Sequence, residues 1–137
     1  MVETTKTFVG NTNLMKKVEV TTGFRHLGGH FGCSSLRNEF VQSKISEWEY
    51  ALDQLTMVAK YYPQAAFTGF TKCIMNRMIF TMRTISGIEE LFEPIETSIS
   101  QKFLPALFGT SAIDATIRNI TALPVKKSGM GILDPTA

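Results

Sequence analysis

From Ser35 onward the apolar residues keep a helical beat. Val41, Ile45, Trp48, Leu52, Leu55, Ala59 and Tyr62 follow one another at spacings of 4, 3, 4, 3, 4 and 3, which holds them on one face at 3.6 residues per turn. The pattern predicts a single helix of about 27 residues, about 40 Å long at a rise of 1.5 Å per residue. Ser34 or Ser35 is placed to cap its start, and Glu39 is assigned to a first turn that favours negative charge. Pro63 ends the helix and suits the first turn of the next.

A second helix is expected from about Pro63 to Ile85, with Phe67, Phe70, Ile74, Met78, Met82 and Ile85 as its stripe. Ser86 and Glu89 have capping-box spacing ahead of a third segment carrying Ile88, Leu91, Phe92, Ile95, Ile99 and Phe103. Pro94 and Pro105 should divide or kink that segment. Ser111 and Asp114 form another such box before Ile113, Ile117 and Ile120, and "VKKSGMGILDPTA" after Pro124 reads as a loop and frayed tail.

Ahead of Ser34 the period is two. In "KKVEV", residues 16–20, Val18 and Val20 share one face and Lys17 and Glu19 the other, as in a half-buried strand. Gly10-Asn11 before it signals a turn, and "FRHL" follows it. The expected fold is α+β and mostly α: an N-terminal β-hairpin followed by a bundle of three to four helices. It forms one structural domain, with the hairpin segment over 1–34, the helices over 35–123 and a loop or tail over 124–137. Its core is expected around Trp48, Leu52, Phe67, Phe70, Ile74 and Ile95.

Composition changes this picture little. A chain of 137 residues can bury a core without disulfide staples. Its net charge of +2 does not by itself demand nucleic acid. Cys33 and Cys73 lack metal-type spacing and are expected as free thiols. The N-terminal stretch carries no apolar run of the signal-peptide kind, and no segment reaches the roughly 18 apolar residues of a membrane span. The expectation is an intracellular chain, in cytoplasm or nucleus, with no membrane partner.

Candidate chemistry concentrates in "GFRHLGGHFG", residues 23–32. His26 and His30 are four apart with Cys33 beyond, but four glycines oppose a helix there. On a strand the two histidines would lie about 13 Å apart, so no metal is expected. No P-loop lysine or Gly-x-Ser-x-Gly accompanies these glycines. The three aspartates, Asp53, Asp114 and Asp134, are scattered, so no two-metal centre is expected and no residue is assigned a catalytic role.

Charge is more informative. Between Asp53 and Glu89 there is no acidic residue, whereas Lys60, Lys72, Arg77 and Arg83 fall there. Lys72 and Arg83 are 11 apart, within about 20° of each other around a regular helix. Such a row can follow a phosphate backbone, with Phe80 nearby for stacking. Against this, Glu47, Glu49 and Asp53 on the first helix, and Glu89, Glu90, Glu93 and Glu96 on the third, could neutralise it.

"TTGFRHLGGHFG" resembles a segment of retrotransposon-type reverse transcriptases, in which Arg-or-aromatic-His/Tyr-Leu-Gly follows the catalytic palm strands and builds the bent primer-grip hairpin. Arg25, His26, Leu27 and Gly28 are the matching residues. "PQAAFTGFTKCIMNRMIFTMRTISGIEELFEPIE", "KFLPALFG" and "ALPVKKSGMGILDP" are similar to later helical and closing segments of that family, so the likeness runs in order from about Val18 to Pro135. The tryptophan usual near Met78 is missing, and the closing Gly-Gly-Leu-Gly stands as Ser128-Gly129-Met130-Gly131. The resemblance implies a non-catalytic, thumb-side fragment of an RNA-directed DNA polymerase that binds an RNA or DNA template–primer. The fingers and palm would be missing partners, and magnesium would belong only to that palm. Arg25, His26, Gly28, Gly29, Lys72, Arg77, Phe80 and Arg83 would form the nucleic-acid site, Gly28 and Gly29 supplying positive φ and close approach. Two other readings stand beside it. One is a helical interaction domain that buries the long stripe and the seven methionines against a partner or second copy. The other is a decayed retroelement fragment with exposed core.

Overall fold

A computed structural model describes residues 21–137. The strand expected over 16–20 and the turn at Gly10-Asn11 lie outside the described residues. The described chain opens with β1 (Gly23–His26) and β2 (Gly29–Gly32), which pair antiparallel with Phe24 opposite Phe31 and Arg25 opposite His30. Only Leu27 and Gly28 connect them, at φ 48° and 83°. Two successive left-handed residues match the type I′ turn, whose twist suits a hairpin. Positive φ therefore falls on Leu27 and Gly28; Gly29, expected to share it, pairs with His26 in the ladder instead. At the open end a Cβ on Gly32 would lie 2.3 Å from the Gly23 Cα. The strands close there only because glycine lacks that atom.

The long stripe becomes α1 (Ser34–Ala59), of 26 residues. Its apolar side is consumed by the fold: Val41, Ile45, Trp48, Leu52 and Ala59 are buried. Tyr62 is a correction, lying past the helix end and well exposed. The start differs too. Cys33 holds the cap position in an extended conformation, no side chain caps the helix, and Glu39 lies beyond the first turn. Pro63 acts as expected, in the first turn of the next helix.

That second rod has three parts: α2 (Pro63–Gly69), a π-helical turn at Phe70–Ile74, and α3 (Met75–Thr84). The third rod runs from a 3₁₀ turn (Glu89–Phe92) through α4 (Glu93–Ser98) and a second π turn (Ile99–Phe103) to α5 (Leu104–Phe108). The wide turns are closed by Met75 N–H donating to the Phe70 carbonyl and Leu104 N–H donating to the Ile99 carbonyl. Their origin is readable in the stripes. Phe70, Ile74, Met78 and Met82 are each four apart, and each such step drifts about 40° from alignment at 3.6 residues per turn. A turn that holds one more residue absorbs that drift. In the third rod Pro105 adds a cause, because it offers no N–H to the carbonyl four residues back. Phe70 and Phe103, at the edges of the two π turns, meet with ring centroids 5.0 Å apart.

The helix α1 is the hub of the core, contacting β2, both π turns, α2, α4 and α5. Trp48 stacks on Phe92 with centroids 6.1 Å apart. Ile88, Phe92, Ile95, Ile99 and Phe103 are buried as their spacing implies. Neither capping box forms as expected. Ser86 does not cap; its carbonyl accepts from Arg37 Nη1 at 3.1 Å, and the third rod starts without a side-chain cap. Ahead of α6 (Ala115–Ala122) it is Asp114 that caps, its Oδ1 accepting from Ile117 N–H at 2.8 Å.

The tail is also a correction. Beyond a 3₁₀ turn at Val125–Lys127 it lacks regular structure, but it is not frayed. Ile132 is fully buried and its N–H donates to the Thr121 carbonyl at 3.0 Å. Arg118, 7% exposed, donates to Glu96 at 2.6 Å and to the Ile132 and Leu133 carbonyls at 3.0 Å. One guanidinium thus clasps the third rod, α6 and the tail together.

Candidate functional site

The hairpin stands at one end of the cleft between α1 and the second rod. Alternation along β1 sends Arg25 to one face and Phe24 and His26 to the other. On the inner face Arg25 Cζ lies 4.9 Å from the centroid of Phe40, and His30 stacks on the same ring at 5.7 Å. Arginine over an aromatic face is held by the ring quadrupole, so α1 fixes the hairpin through Phe40. The His30 Nδ1 is buried with no hydrogen-bond partner among the described residues. On the outer face Phe24 and Phe31 stack at 5.8 Å and both stay exposed, as does Leu27 at the tip.

The cleft has a volume of about 570 Å³. Arg25 and Gly28 line it from the hairpin, Lys44, Glu47 and Trp48 from α1, and Lys72, Cys73, Asn76, Arg77, Phe80 and Thr81 from the second rod. Positions 73, 76, 77 and 80 are neighbours on a helix at three- and four-residue offsets. Lys72 sits inside the first π turn. The smaller angular advance there brings it nearer the side of Arg77 than the roughly 140° that five residues give on a regular helix. Gly28 closes over Phe80: a Cβ at Gly28 would lie 3.2 Å from the ring.

Among the described residues four cations thus face one carboxylate, and that carboxylate is engaged, Glu47 accepting from Lys44 Nζ at 2.8 Å. Among the described residues no carboxylate makes an ion pair with Lys72, Arg77 or Arg83, and all three are exposed. Other acids that could have neutralised the row are turned elsewhere. Asp53 pairs with Lys102 at 3.1 Å and Glu96 with Arg118, while Glu89, Glu90 and Glu93 join Glu96 at a separate groove.

Of the expected site residues, the fold brings Arg25, Gly28, Lys72, Arg77 and Phe80 together. It leaves out His26, on the outer face of the hairpin, and Arg83, farther along α3; Gly29 is buried against Thr84. Lys44 joins them unforeseen, because a lone lysine on an acidic helix gave no signal. Cys33 and Cys73 are free and exposed. Hydrogen bonds from the Ser35 hydroxyl and the Leu36 amide hold the Cys33 thiol below its ordinary value. Among the described residues no three metal-ligating side chains gather, and no helix is long and apolar enough to cross a membrane. Comparison with protein-family models, with curated proteins and with solved structures finds no match in any of the three.

Proposed function

We propose that the cleft binds the phosphate backbone of a template–primer, and that the chain serves as the thumb-side, non-catalytic part of an RNA-directed DNA polymerase. The observation that carries this reading is the convergence of Arg25, Lys72 and Arg77, all without carboxylate partners among the described residues. Backbone contacts of this kind position a nucleic acid without reading its sequence. The open Phe24–Phe31 face supports the same reading, as a surface for the palm to cover. The aspartates have other occupations: Asp53 pairs with Lys102, Asp114 caps α6, and Asp134 accepts from the amide and hydroxyl of Thr136. The interaction-domain reading loses its stripe, which α1 spends inside its own core.

The test is salt-dependent binding to a labelled duplex. Three phosphates neutralised give a slope of about −2.7 in log K against log salt, so affinity should fall about 40-fold between 50 and 200 mM. Arg77→Gln or Lys72→Gln should each flatten the slope by about 1. With magnesium and nucleotides the purified chain should extend no primer. Binding that ignores salt, or that survives both substitutions unchanged, defeats the proposal.

A further inference from the structure

Resting on that backbone-binding reading, we infer that the cleft admits one unpaired nucleotide, its base against Phe80 and its phosphate between Lys72 and Arg77. Scale points this way first. At about 570 Å³ the cleft falls in the size range of small-ligand pockets. A duplex can lie across such a cleft but cannot enter it.

The chemistry of the wall points the same way. Phe80 is 46% exposed and lines the cleft, although the Gly28 turn packs on part of its ring. In a duplex the faces of the bases are covered by their neighbours, and only edges and phosphates are presented. A phenyl ring set beside two cations is therefore wasted on paired strands and suits a base that has left its stack. Phe80 and Arg77 are three apart on one helix face, so a single nucleotide can meet both. Stacking on such a ring tolerates any base, and the partner is thus a single-stranded extension next to a duplex, of no fixed sequence.

Three labelled ligands separate the terms: a blunt duplex, the same duplex with a short single-stranded overhang, and that duplex with an abasic overhang. The overhang should bind about tenfold tighter than its abasic counterpart, within the range a stacked base contributes. Phe80→Leu should erase that difference by bringing the based overhang down to its abasic counterpart, whereas Phe80→Tyr should keep it. Equal affinity for based and abasic overhangs overturns the inference, as does a Phe80→Leu loss shared by all three ligands. In either case salt-dependent binding sensitive to Arg77→Gln leaves backbone binding standing. If no ligand binds, both proposals fall.

Discussion

Replacing Arg118 by methionine should cost about 3 kcal/mol of folding stability. The guanidinium makes two 2.6 Å bonds to Glu96 and donates to two tail carbonyls at 3.0 Å. Removing one partner of a buried pair costs about 3–5 kcal/mol, because the other charge is stranded. The Glu96 side chain is 17% exposed against 8% for Arg118, so the stranded carboxylate can reach some water and the lower figure applies. For a domain of this length that corresponds to a fall in Tm of about 10 °C, readable by circular dichroism or urea unfolding. A second arm isolates the pair. Combining Arg118→Met with Glu96→Leu removes the stranded charge and should recover about 2 kcal/mol relative to the sum of the single losses. A loss under about 1 kcal/mol, or additive single losses, would refute the clasp and leave burial of Ile132 as what holds the tail.

Two other expectations follow from local geometry. Asp114→Ala should cost about 1 kcal/mol, the usual value of a lost N-cap, measured by urea unfolding, because the Asp114 side chain caps α6. Asp134 should make stability fall at acid pH. Burial pushes its carboxyl up, but hydrogen bonds from Thr136 and the nearby Arg118 guanidinium outweigh this and hold it below the ordinary 3.8. The folded state then binds fewer protons than the unfolded one, so this contribution is present above 3.8 and is lost as pH drops through the lowered value. Urea midpoints taken between about pH 5 and pH 2 should show that loss, and Asp134→Asn should flatten this part of the profile.

What the sequence revealed depended on whether a residue's role was periodic. Val41 to Ala59 announced α1 because burial on one helix face imposes a repeat that needs no knowledge of neighbours. Leu27 gave no such notice: a leucine at φ 48° is set by the two-residue loop and not by any preference of its own. The unbroken fours at Phe70, Ile74, Met78 and Met82 did carry the signal of a wide turn, but only to a reader who summed the drift. The tail was illegible because the contacts that hold it, the Arg118 guanidinium on the carbonyls at 132 and 133 and the Ile132 amide on the Thr121 carbonyl, follow no pattern in the sequence. In the cleft the acid-free interval pointed to Lys72 and Arg77. Arg83 shares that interval but lies beyond the cleft, and Lys44 arrives from another element. Charge counting along a chain finds a basic helix; packing decides which of its cations share a ligand.

Trp48 has one further consequence. It is the chain's single tryptophan, 4% exposed, stacked on Phe92 and bordering the cleft. The protein thus carries a built-in optical reporter at the boundary between its core and its cavity. An occupant of the cleft should dim that emission without moving it to longer wavelength, whereas unfolding should redden it as water reaches the indole. Occupancy and loss of structure can therefore be told apart in one unlabelled sample.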